Sequence, residues 1–344
     1  MSRREIRRIT IVSVMHCMID FLCAFAVFGT FRYRYDPYRV YLYYSFFAFA
    51  VQMPLGIILD RIIGEGKHAK DLPPFWFTTA GIVLTLLGTF TNPVILGLGN
   101  AFFHTGGGVT SIQEDDRAHL GGRGLGVFVA PGAVGLFLGG VISSFSRVIV
   151  PALSALVLAV LWFMLYRSMK NTAPEYASMP SVSFEHPGVR GVILACFAVV
   201  VIRSAVGTAV RFPWKNGFAL SFLAVLVLAA GKSAGGFAGA RFGIKQTALV
   251  SLLGAAVCYL FKDILPAGLA ALFLFNMSMP LTLYLLAKKM PGMPGFAFGL
   301  LTFALYLGFV LIYTGLVSIP YAGPIGSVLS AVLLGYAAGV SDER

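Results

Sequence analysis

The chain has 344 residues, 58% of them hydrophobic and only 12% charged, with a mean hydropathy of +0.84. Soluble globular chains carry about 25% charged residues, so this composition excludes an ordinary soluble enzyme. The formal net charge of +12 would suit nucleic acid in a soluble protein, but here the basic residues stand between apolar runs and act as topology signals, so no nucleic-acid partner is expected.

The apolar runs are about 20 residues long, enough to cross a bilayer as helices, and are continuous. An outer-membrane barrel would instead alternate in segments of about 10 residues. Twelve spans are predicted. Six fall at roughly 9–30, 39–60, 74–90, 92–113, 124–145 and 147–168, and six at roughly 189–210, 217–239, 245–260, 265–287, 295–318 and 323–340. Ala24-Phe25-Ala26 resembles a signal-peptidase site, but the first run continues to Thr30 and contains Asp20, which favours a retained first helix. The longest polar interval, 169–188, separates an N-terminal half (1–168) from a C-terminal half (189–344). The expected fold class is therefore an all-α polytopic membrane protein of about twelve helices in two pseudo-symmetric six-helix halves. With the N-terminus inside, seventeen Lys and Arg fall in inner segments and seven in outer ones. That bias places both termini on the cytoplasmic side of the cell (plasma or inner) membrane.

Ionisable groups inside spans are costly and usually functional. In the first span Asp20 lies near mid-depth, with His16 four residues earlier on the same face. The fourth span presents Asn100, His104, Gly107 and Ser111 along one face, beside the flexible run Gly106-Gly107-Gly108. The fifth contains Ala130-Pro131-Gly132 among further glycines, a composition that permits a kink and close packing. Arg203 lies in the seventh span and Lys232 in the eighth, about two turns from its cytoplasmic end. Gln52, Asn276, Tyr306 and Tyr313 are further polar candidates for a solute cavity. Asp20 and Arg203 are expected to face one another or to share a substrate, a static ion pair being the alternative. His16 and His104, with an ordinary imidazole pKa of about 6.5, are candidate proton relays.

Two features point to an internal repeat, as in parallel two-half transporters. Gly56, Asp60 and Arg61 recur 180 residues later as Gly236, Ala240 and Arg241, and Asp20 and Arg203 stand 183 residues apart. The Gly56–Asp60–Arg61 pattern resembles the cytoplasmic loop motif of the major facilitator superfamily. Its glycine lets two helices approach, and its acid can pair across to a neighbouring helix and latch one conformation. Asp is replaced by Ala240 in the second copy, so a latch there should be weaker or absent. Glu114, Asp115 and Asp116, at the end of the fourth span, are read as interfacial charges or as partners for loop arginines.

A closer resemblance is to the fosmidomycin-resistance-type efflux proteins of that superfamily. It rests on His16-Cys-Met-Ile-Asp20, Gly99-Asn100-Ala101-Phe102-Phe103-His104, Gly121-Gly122-Arg123-Gly124-Leu125 and Arg203-Ser204. Thr105 stands where the family has Pro. The resemblance implies a monomeric secondary transporter with alternating access and proton-coupled efflux of drug-like molecules or metabolites. Arg203 and Lys232 outnumber Asp20, which favours an anionic or zwitterionic small-molecule solute. No P-loop, H-E-x-x-H or G-x-S-x-G occurs, so neither enzyme activity nor ATP hydrolysis is expected. The four cysteines (Cys17, Cys23, Cys196, Cys258) lie inside spans without metal-type spacing. No metal or cofactor is expected, the energy source being an ion gradient. The alternative is a non-transporting receptor or scaffold, or a membrane-embedded enzyme, on the same fold.

Overall fold

The computed structural model describes residues 3–64, 72–170 and 187–342, and among these no strand occurs. The twelve helices are α1 (Arg3–Phe31), α2 (Pro37–Gly64), α3 (Pro73–Phe90), α4 (Pro93–Arg117), α5 (Arg123–Val141), α6 (Ile149–Lys170), α7 (Pro187–Ala209), α8 (Gly217–Phe242), α9 (Ile244–Leu260), α10 (Leu265–Lys289), α11 (Pro294–Tyr313) and α12 (Ala322–Asp342). Each predicted span coincides with one of them. Ten are long and apolar enough to cross a membrane; α9 is apolar but shorter, and α4 carries the polar face already noted. Of the predicted polar interval, residues 171–186 lie outside the described residues.

Local chemistry explains most of the helix ends. Proline opens α2, α3, α4, α7 and α11, where its missing N–H costs nothing. The Asn92 side chain accepts from the N–H groups of Val94 and Ile95 (both 3.0 Å), and Asp36 accepts from that of Arg39 (2.9 Å), so α4 and α2 are capped. The largest difference at a helix C-terminus is in α11. It stops at Tyr313, short of the expected 318, because Gly315 takes a left-handed φ of 73° and Pro320 follows. Two helices are broken where proline removes a rung of the ladder. α5 breaks between Val129 and Pro131, and α10 at Met277, three residues before Pro280. α1 and α2 each contain a π-helical stretch, at Ala26–Phe31 and Phe46–Ala50.

The described residues form two compact units. The first comprises 3–119, 131–170 and 291–303; the second comprises 120–130, 187–290 and 304–342. Glycine spacing organises each. In the first, α3 and α4 interlock through glycines seven apart. A Cβ at Gly81 would strike the Phe103 backbone and one at Gly88 the Leu96 backbone; from the other side, Gly99 meets Thr85 and Gly106 meets Pro74 and Thr78. In the second unit, Gly231, Gly235 and Gly239 of α8 stand in the same way against Phe273, Met277 and Leu281 of α10. Lipid gives two helices no hydrophobic reason to associate, so close backbone contact must hold them.

Candidate functional site

In the first unit, α1 and α4 bring four polar residues together (His16, Asp20, Asn100 and His104). Their sequence separation reaches 88 positions, yet all are buried. His16 Nε2 lies 3.1 Å from Asp20 Oδ2, and His104 Nε2 lies 3.5 Å from Asp20 Oδ1. Asn100 Nδ2 donates to Asp20 Oδ1 (3.1 Å). The two imidazoles meet edge to face with centroids 4.5 Å apart. Both helices supply their pair at i and i+4, which places each pair on one face.

Orientation follows from the backbone. His104 Nδ1 stands 2.9 Å from the Asn100 carbonyl oxygen, and a carbonyl can only accept, so Nδ1 carries the proton. Neutral His104 therefore turns a lone pair on Nε2 toward the carboxylate. Two acceptors then face each other, an arrangement that a proton or another cation between them relieves. Gly132 of α5 closes one side of the cluster: a Cβ there would collide with His16 Nε2 and Asp20 Oδ2.

Arg203 belongs to the second unit. It is 8% exposed, and its Nη1 is buried without a hydrogen-bond partner among the described residues. Next to it, the Ser204 hydroxyl donates to the Leu305 carbonyl (2.6 Å), and Gly308 meets the Val201 carbonyl and the Ser204 side chain, which ties α7 to α11. A buried guanidinium nitrogen without a partner is costly. Lys232 is half-buried in α8. Asp20 and Arg203 thus lie in different units, each with its own surroundings. Ser111 is buried and bonds the Gly107 carbonyl (2.9 Å). Gln52 is buried in α2, where it donates to the Ala48 carbonyl (2.5 Å). Asn276 is half-buried and bonds the Leu272 carbonyl (2.8 Å). Tyr313 stacks on Phe309, and Tyr306 is half-buried. The four cysteines are free thiols.

The helix-end residues are also placed. Asp60 Oδ1 and Oδ2 accept from the N–H groups of Gly295 (2.8 Å) and Phe296 (2.7 Å), so one carboxylate caps the N-terminus of α11 from 235 positions away. Backbone amides and helix dipole both favour an anion there. Gly56 allows it, for a Cβ would strike the Gly295 backbone, and one turn away Gly299 meets Gln52 in the same way. In the second unit Gly236 meets Gly122 and Gly126. Ala240 lies beside Gly121, just before the start of α5. Ala240 has no carboxylate to offer that helix end as Asp60 does at α11. Arg61 and Arg241 are both exposed, and the Arg241 guanidinium lies over the Phe242 ring. Asp60→Ala should free the start of α11. Two charge-assisted bonds are lost, each contributing about 1.5–3 kcal/mol. In a background lacking the native cysteines, labelling of Phe296→Cys by a water-soluble maleimide should speed up at least about tenfold, each tenfold being about 1.4 kcal/mol. An unchanged rate would show that the cap does not hold the helix.

Arg8 is one of the seventeen basic residues of the inner segments, yet it is 5% exposed. Its Nη1 pairs with Glu114 Oε1 (3.0 Å), which also pairs with Arg117 (2.8 Å), and its Nε donates to Ser168 Oγ (3.2 Å). Arg8 thereby joins α1 to both α4 and α6. The acidic end of the fourth span hinted at paired loop arginines but not at this partner, because the link spans 106 positions.

No family model matches the chain, and no curated protein matches it. Solved structures do. The E. coli fucose:proton symporter aligns over 95% of this chain and 98% of its own, with a TM-score of 0.61 and 16% identity. The human organic anion transporter TETRAN aligns over 99% of this chain and 98% of its own, with a TM-score of 0.58 and 13% identity. A second structure of the symporter, described as a major facilitator superfamily transporter in the outward conformation, gives a TM-score of 0.60 at 15% identity. The chain therefore has the major facilitator fold and is a multi-pass membrane protein.

Proposed function

We propose that the chain is a secondary active transporter that moves a small anionic or zwitterionic solute by alternating access, in exchange for protons. The observation that carries this reading is the buried guanidinium of Arg203, whose Nη1 has no hydrogen-bond partner among the described residues. A fixed, desolvated cation costs the fold stability, and a carboxylate or phosphonate on the solute would supply the missing bidentate partner. Proton coupling is assigned to the His16–Asp20–His104 cluster. With both imidazoles neutral it carries one negative charge, and one proton taken between His104 Nε2 and Asp20 neutralises it. Asn100 holds the carboxylate in place, and Lys232 is a second cationic contact for the solute.

The fold neighbours support coupling to protons and an anionic solute, since one is named a proton symporter and another an organic anion transporter; the exchange sense follows the resemblance to the fosmidomycin-resistance-type proteins. Efflux is the direction favoured by the resemblance to fosmidomycin-resistance-type proteins. The Asp60 cap on α11 is the conformational latch, with Gly56 permitting the approach and Arg61 and Arg241 at the loop ends. Both termini are assigned to the cytoplasm and the working form to a monomer. The two six-helix halves, 1–168 and 189–344, are taken as the moving bodies.

The decisive measurement is flux in proteoliposomes under an imposed pH gradient, across a panel of small carboxylates, phosphonates, neutral solutes and cations. Movement of an anionic or zwitterionic solute that stops when a protonophore dissipates the gradient is expected. Movement of cations or neutral solutes alone, or flux indifferent to the gradient, would overturn the proposal.

A further inference from the structure

We infer that His16, Asp20 and His104 form a binding site for one divalent first-row transition-metal ion, with the Asn100 side-chain oxygen as a fourth donor. The inference goes beyond the solute reading, because it concerns equilibrium binding and holds whichever solute is moved.

The donor set comes first. Two imidazole nitrogens and one carboxylate suit zinc, cobalt, nickel or ferrous iron, whereas magnesium and calcium prefer oxygen alone. The ligand atoms all lie within 4.8 Å of one another. Bonds of about 2.0–2.1 Å in a tetrahedral site leave neighbouring ligand atoms roughly 3.3–3.5 Å apart. The His16–Asp20 and His104–Asp20 contacts of 3.1 and 3.5 Å, made to the two carboxylate oxygens, bracket that spacing, and seating an ion requires the three ligand atoms to close from within 4.8 Å of one another.

Tautomer and outer contacts are also set. His104 donates Nδ1–H to the Asn100 carbonyl, the arrangement that presents Nε2 as a lone pair to a metal and stiffens the ring. Asn100 adds an independent observation. It is 1% exposed, and its side-chain oxygen is buried without a hydrogen-bond partner among the described residues. Turning the amide over exchanges its two ends and brings that oxygen to the place from which Nδ2 now reaches Asp20 Oδ1 at 3.1 Å. The cluster is buried but reachable, since the three ligand side chains keep 8–10% of their surface accessible, and an ion needs an entry path.

The test is binding to the full chain in detergent after chelator treatment. Cobalt(II) is titrated with the visible d–d absorption recorded, and zinc is titrated against a chromophoric chelator. One ion per chain is expected, with the intense d–d band of a four-coordinate nitrogen and oxygen site, unaffected by excess magnesium or calcium. His16→Gln and His104→Gln should each weaken binding about 100-fold, and Asn100→Ala roughly 10- to 100-fold. Replacing His68, His119 and His186 together by Gln should leave it unchanged. Absence of the band in the unaltered chain would overturn the inference, as would binding that survives both His16→Gln and His104→Gln or follows the other three histidines. Should a variant fail to fold, the spectrum and stoichiometry of the unaltered chain decide alone. No flux is measured, so loss of proton-driven transport with cobalt binding intact would count against the transport reading and not against this one.

Discussion

Replacing Asp20 by Asn is expected to abolish solute accumulation driven by a pH gradient while leaving the chain folded. The substitution is nearly isosteric and keeps an oxygen for Asn100, whose Nδ2 now donates to Asp20 Oδ1 at 3.1 Å, but it removes the negative charge that draws a proton into the cluster. The size of the effect follows from the driving force. Each pH unit contributes about 1.4 kcal/mol per proton. A two-unit gradient therefore sustains roughly a hundredfold concentration ratio at one proton per cycle, and an uncoupled variant should equilibrate at a ratio near one. Steady-state accumulation of the solute in proteoliposomes reads this directly, with elution as a single symmetric peak as the folding control. An Asn variant that still sustains the ratio would remove Asp20 from the coupling step.

Arg203→Met should separate stability from function. Arg203 is 8% exposed, with Nη1 lacking a partner among the described residues, so an apolar chain of similar length removes a desolvated charge. Exchanging buried charge for a well-packed apolar residue is often neutral or stabilising by about 1–4 kcal/mol. The thermal midpoint in detergent should therefore hold or rise. Solute binding should weaken because a hydrogen bond to a charged group contributes about 1.5–3 kcal/mol, roughly a tenfold to 150-fold rise in the solute's half-saturation concentration. A fall in the midpoint with unchanged half-saturation would make Arg203 a structural residue and move the anion site elsewhere.

Much of this protein is legible without coordinates because its dominant physics is local. A run of about 20 apolar residues must satisfy every backbone group internally once it lies in lipid, and the helix does so within the run. All twelve helices could therefore be located from composition. Proline and asparagine set several of their ends by equally local means, since caps act over one turn. The i, i+4 spacing put His16 with Asp20 and Asn100 with His104 before any fold was known. The exceptions are instructive. The early stop of α11 depends on a left-handed Gly315, which hydropathy does not register. Arg8 looked like a topology signal because its partner Glu114 lies on another helix.

The sequence by itself determined that the chain is an all-helical membrane protein, where its spans run, and which few ionisable groups they carry. Only the tertiary structure decided which of those groups meet. It gave Asp20 two imidazoles and an amide within the first unit, contacts that join two helices some 80 positions apart. It also left Arg203 Nη1 without a hydrogen-bond partner among the described residues and set Asp60 on the end of α11. The reason is one of range. Helix formation and span length depend on neighbours a turn or two away. Partner choice depends on which glycines let which helices touch, across separations of 80 to 235 positions.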